Sequence, residues 1–127
     1  MVIEHIAIYL DDLEAGKAFF EKYFNGTAGE RYHNPNTGFS SYFITFEDGA
    51  RLELMHKPDM RDQIKYLSRT GYAHMTFSVG SKEKVDELTQ ILKEDGYCLI
   101  SGPRVTGDGY YESCILGFEN NQIEITI

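Results

Sequence analysis

The sequence predicts an α+β fold made of two tandem βαβββ modules. Three observations predict it. An amphipathic helix pattern occurs twice. Each occurrence follows one alternating strand and precedes three more. Short stretches of the first half also match the second half, within the same element each time. The first strand covers about 2–10, where Ile6, Ile8 and Leu10 share one face and His5, Ala7 and Tyr9 the other. Asp11 or Asp12 can cap the following helix, with Asp11 and Glu14 at capping-box spacing. The helix runs to about Asn25, where Asn25-Gly26 stops it, and buries Leu13, Phe20, Phe24 and either Phe19 or Tyr23. Strands follow at about 27–33, 39–47 and 50–57, with Asp48-Gly49 as a hairpin turn between the last two. Over about 58–70, Met60, Ile64 and Leu67 stand at helical spacing behind Asp59, which predicts a short linker helix.

The second half repeats this order. A strand covers about 72–79, and Ser81 caps a helix with Val85, Leu88, Ile91 and Leu92 on one face, ending at Asp95-Gly96. Strands follow at about 97–105, 110–117 and 122–127. Glu4 to Leu10 matches Ala73 to Val79 at an offset of 69, and Arg51 to Met55 matches Gln122 to Thr126 at an offset of 71. The expected organisation is one domain over 1–127: module 1 to about 57, the linker helix, and module 2 from about 71.

Composition bounds the function. The 127 residues suit one compact domain, and 42% apolar with 13% aromatic content suits a globular core. Twelve Lys and Arg against twenty Asp and Glu give a net charge of −8. That balance argues against nucleic-acid and anionic-membrane partners, which need clustered positive charge. No apolar run is long enough to span a bilayer. Met1 to His5 lacks the basic and apolar start of a signal peptide, which predicts a cytoplasmic protein. Cys98 and Cys114, sixteen positions apart, read as reduced core residues.

The repeat makes His5 equivalent to His74 and Glu53 equivalent to Glu124. Strand alternation places all four on the sheet face opposite the helices, because their immediate neighbours are the aliphatics that must face the core. Tyr9, Arg51, Met55, Thr76, Ser78, Gln122 and Thr126 share that face, a mixed lining suited to a cavity. A single His or Glu in a strand is usually structural. Two imidazoles and two carboxylates at repeat-equivalent places form a borderline-to-hard divalent metal set and leave positions for a substrate oxygen. Histidine suits Zn, Ni, Co, Fe or Mn, and carboxylate oxygen suits the harder of these. His33 and His56 lack repeat partners and read as surface or rim residues. Gly107 to Tyr111 reads as a hairpin turn, or else a lip over the cavity.

On these residues the chain resembles the vicinal oxygen chelate superfamily of glyoxalases, bleomycin-resistance proteins and extradiol dioxygenases. In that fold the two modules form a curved mixed sheet with the helices on its outer face. His5, Glu53, His74 and Glu124 fall where bacterial glyoxalase I has its metal ligands. The resemblance implies a metal-dependent lyase or isomerase working through a metal-bound enediolate. Its substrate would be a small hydroxy-carbonyl or thiohemiacetal, with Glu53 or Glu124 moving the proton. Bacterial glyoxalase I has an Arg and an Asn for glutathione where this chain has Tyr9 and Lys57. Its turn before the last strand is replaced here by Phe118-Glu119-Asn120-Asn121. Tyr9, Arg51, Met55 and Lys57 are the expected substrate-binding residues, and Lys57 or Arg51 can meet a carboxylate or phosphate. The resemblance also implies a homodimer. The alternatives are a metal-free, antibiotic-sequestering binding module and a metal-dependent dioxygenase or transferase.

Overall fold

A computed structural model describes residues 1–127. Two compact units divide the chain, Met1–Gln63 and Ile64–Ile127. The first holds β1 (His5–Tyr9), α1 (Leu13–Phe24), β2 (Thr27–Ala28), β3 (Tyr32–His33), β4 (Ser40–Thr45) and β5 (Arg51–His56). The second holds β6 (His74–Ser78), α2 (Lys82–Glu94), β7 (Cys98–Val105), β8 (Tyr111–Leu116) and β9 (Gln122–Thr126), with a short helical turn at Phe118–Asn120. The fold is α+β with one mixed sheet per unit. Strand order is β1-β5-β4-β2 in the first, with β3 also on β4, and β6-β9-β8-β7 in the second. In each, the strand before the helix runs parallel to the last strand and the other pairings are antiparallel.

Both helices start and stop on local chemistry. Asp12 accepts from the Ala15 amide at 2.9 Å and opens α1; Ser81 accepts from Lys84 at 3.3 Å and opens α2. Asn25 takes the left-handed conformation and ends α1. Gly96 (φ +94°) ends α2, where Tyr97 donates to the Leu92 carbonyl and Gly96 to Lys93, the paired bonds of a Schellman turn. The two interfaces are built from different residues. Leu13, Phe19, Phe20 and Phe24 of α1 are buried, as are Ile44, Leu52 and Leu54 of its sheet. In the second unit Val85, Thr89 and Leu92 of α2 are buried, as are Ile115, Ile123 and Ile125. Thr89 donates to the Val85 carbonyl at 2.6 Å and accepts from Ser113 at 2.6 Å, so both buried hydroxyls are satisfied.

Three expectations are corrected. The linker helix over 58–70 does not form; no helix or strand lies between His56 and His74. Two residues of its intended stripe stay in water, Ile64 at 75% and Leu67 at 50% exposure, and Met60 is half-buried. A short helix that buries no face is marginal, so spacing alone did not make one. The strand expected over 27–33 is two short strands, both on β4, separated by Gly29 to Arg31. Cys98 is exposed rather than in the core, whereas Cys114 is buried as expected.

In β7 the pairing with β8 shifts register around Gly102, which has φ +81°. A Cβ there would fall on the Glu112 carbonyl oxygen and within 2.9 Å of Ser113 Cα. Only glycine serves both the left-handed backbone and the close approach.

Candidate functional site

In the first unit β1 and β5 pair in parallel, with His5 opposite Arg51, Ala7 opposite Glu53 and Tyr9 opposite Met55. Leu52 and Leu54 are buried against the helix, so Arg51, Glu53 and Met55 take the other face, as alternation requires. His5 Nε2 lies 3.9 Å from Glu53 Oε2; the imidazole is 40% exposed and the carboxylate 15%. In the second unit β6 and β9 repeat the register, with His74 opposite Gln122 and Thr76 opposite Glu124. His74 Nε2 lies 3.1 Å from Glu124 Oε2. Adjacent ligands of an ion bound at roughly 2.0–2.2 Å stand roughly 3–3.5 Å apart; the His74–Glu124 pair falls within that spacing and the His5–Glu53 pair is wider. Each unit brings one His–Glu pair together. No group of three or more His, Cys, Asp or Glu side chains is gathered into metal-binding reach.

The surroundings of the two pairs differ at every equivalent position. Glu4 accepts from Arg51 Nε at 2.7 Å, also receives Arg51 Nη2, and meets His5 Nδ1 on its other oxygen. Arg51 lies over the Phe43 ring at 4.1 Å, and His5 meets that ring edge-on at 5.4 Å. The bonds from His5, then Arg51, hold the Glu4 carboxyl below its ordinary pKa. At the matching places of the second unit stand Ala73, Gln122 and Cys114. There the carboxylate is held instead: Thr76 donates to Glu124 at 3.1 Å, where the first unit has Ala7. Burial, then the Glu124 and Glu112 charges, push the Cys114 thiol up to about 11. Burial and Glu124 likewise raise Glu112.

The remaining expected residues are placed as follows. Lys57 Nζ lies over the Tyr9 ring at 5.5 Å, a cation–π pair on the exposed side of β1. Met55 is half-buried on the Glu53 face. Gln122 donates to the Leu67 carbonyl at 3.0 Å. His33 bonds Ser40 at 2.8 Å and His56 meets the Leu10 carbonyl at 3.0 Å, both within the scaffold. Gly107–Asp108–Gly109 forms a hairpin turn closed by Thr106, which bonds Asp108 and Tyr110. Glu4, Phe43 and Glu112 did not figure among the expected site residues. Phe43 was recoverable: the offset of 71 that pairs Glu53 with Glu124 pairs it with Cys114.

The chain belongs to the Glyoxalase/Bleomycin resistance protein/Dioxygenase superfamily, whose family model matches residues 2–125. It is 27% identical over 113 residues to the uncharacterized protein YqjT of Bacillus subtilis, covering 86% of this chain and 85% of that one. Among solved structures it is similar to "a possible Glyoxalase from Bacillus cereus", at 26% identity and TM-score 0.69, covering 100% of this chain and 99% of the other. It also shares the fold of FosX, a fosfomycin resistance protein of Listeria monocytogenes solved with Mn(II) and sulfate. That match has 19% identity and TM-score 0.71, covering 98% and 89%. The superfamily thus includes enzymes. No helix of this chain is long and apolar enough to cross a membrane.

Proposed function

We propose that this chain is a divalent-metal-dependent lyase or isomerase of the glyoxalase I kind. One observation carries the reading: a His–Glu pair recurs at the same register in both units, on the face opposite each helix. His5, Glu53, His74 and Glu124 would hold the ion, and Ni, Zn or Co suits this nitrogen–carboxylate set best. When bound, it would polarise two adjacent substrate oxygens and make the neighbouring C–H acidic.

The chain's own groups supply the rest. Glu53 and Glu124 are the two carboxylates able to take a proton from one carbon and return it to the next. They are only 15% and 19% exposed, which keeps bulk water from competing for that proton. Tyr9, Met55 and Lys57 offer the substrate an apolar and cationic surface, and Arg51, on the same face, is paired with Glu4. Small vicinal-oxygen compounds, hydroxy-carbonyls or thiohemiacetals, suit such a lining. The proposal includes a homodimer, which places the gel-filtration mass near twice 14.5 kDa.

The test is metal content per chain after stripping and exposure to a mixture of divalent metals. Wild type should retain about one ion per chain, and His74→Ala should lose it. Glu53→Gln and Glu124→Gln should then abolish most turnover of a 2-oxoaldehyde offered with and without a thiol. A wild-type chain that retains no metal overturns the reading and leaves a binding module as the alternative.

A further inference from the structure

In the first unit Glu4 sits at the centre of a polar network that nothing in the four-ligand reading uses. Glu4 is exposed, and an exposed carboxylate ordinarily stays in water. Here four constraints hold it. The Arg51 amide donates to the Glu4 carbonyl at 3.0 Å, which fixes the backbone just before β1. The Arg51 guanidinium grips one carboxylate oxygen, with its Nε at 2.7 Å. Phe43 supports that guanidinium from below at 4.1 Å. The other carboxylate oxygen meets His5 Nδ1, while the imidazole packs at right angles to the same Phe43 ring.

An ionised carboxylate only accepts, so the Nδ1 atom it meets must carry the proton. A neutral imidazole protonated at Nδ1 has its lone pair at Nε2, the atom that faces Glu53. We propose that Glu4 is a positioning residue that locks His5 in the Nδ1–H tautomer with Nε2 presented as a ligand, and that Arg51 and Phe43 hold Glu4 in place. The proposal rests on the metal reading for its use, but the brace is a property of the metal-free chain. A carboxylate behind an imidazole is a general way to orient a ligand and raise its basicity. His74 has no such partner, because Ala73 stands where Glu4 does. Its Nε2 lies within hydrogen-bond distance of Glu124 and carries the proton in the metal-free chain.

Imidazole nitrogen NMR of the metal-free full chain reads this directly, at a pH near 8.5, where histidine is neutral. Wild type should show His5 as Nδ1–H and His74 as Nε2–H in one spectrum. Glu4→Ala should release His5 toward Nε2–H and leave His74 unchanged. Glu4→Gln, whose amide oxygen still accepts, should keep the Nδ1–H form. Zn affinity measured against a competing chelator should fall roughly 10–100-fold in Glu4→Ala and less in Glu4→Gln. An unchanged His5 tautomer in Glu4→Ala overturns the proposal, as does unchanged Zn affinity. If the tautomer switches as expected but wild type takes up no ion, the brace stands and the metal reading falls. Glu4 is solvent-exposed, so these variants leave the core intact, which circular dichroism checks.

Discussion

The two units solve one problem with opposite emphasis. Both present a His–Glu pair from the parallel strand pair beside the helix. The first unit fixes its histidine: Glu4, Arg51 and Phe43 surround His5, while Ala7 leaves Glu53 without a hydroxyl neighbour on β1. The second unit fixes its carboxylate: Thr76 and His74 hold Glu124, and Ala73 leaves His74 without a brace. A duplicated scaffold can therefore keep the same two side-chain types while dividing the work of orienting them. The cores differ in the same spirit. Eight positions after their caps stand Phe20 and Thr89, both buried, and the offset of 71 relates Tyr42 of β4 to Ser113 of β8. The first unit fills these two positions with aromatic bulk, Tyr42 sending its hydroxyl to Glu14 at 2.9 Å. The second fills them with a hydroxyl pair.

That core contrast can be broken at its centre. Phe20→Ala, at 1% exposure, should cost about 3–5 kcal/mol in denaturant unfolding, since it removes aromatic area and leaves a cavity. An effect below about 1 kcal/mol would mean that the first interface collapses around the loss. Thr89→Val should cost roughly 1–3 kcal/mol, because it strands the buried Ser113 hydroxyl. The same measurement on Thr89→Val with Ser113→Ala should recover most of that loss. If the double variant is as unstable as the sum of its parts, packing rather than hydrogen bonding holds this interface. The smallest effect at neutral pH distinguishes Cys114 from its counterpart Phe43. Burial pushes the folded Cys114 thiol up to about 11, above its usual value of about 8.5. Protonated Cys114 thus contributes stability that is fully present below about pH 8.5 and lost as pH rises toward 11. Melting temperatures of wild type and Cys114→Ala should converge over that window; parallel curves would show that the thiol does not report on the fold.

Much of this architecture was legible because local rules and global fold agree. Alternation around Leu52–Leu54 and Ile123–Ile125 identified the face of Glu53 and Glu124, and Ser81 and Gly96 bounded a helix by chemistry visible in single residues. What escaped has physical causes. Met60, Ile64 and Leu67 carry helical spacing, but a pattern makes a helix only where something covers it. Cys98 opens β7, and an end position of a strand need not join the core. Thr89 was hidden by its polarity: the expected stripe named Leu88 and Ile91, yet α2 buries Thr89 and leaves Ile91 exposed, because Ser113 satisfies the hydroxyl. Glu4 precedes the first paired residue of β1, so alternation does not govern its side chain. Arg51 was expected at the substrate; its guanidinium is already engaged by Glu4.

The bulge at Gly102 bears on how this chain can change over generations. Gly107, in the turn that joins β7 to β8, has open space around it, and a side chain there meets nothing within 4 Å. At Gly102 even a methyl group strikes the β8 backbone. A descendant lineage can rewrite the Gly107 turn one step at a time. It can alter residue 102 only after the hairpin around it has been rebuilt.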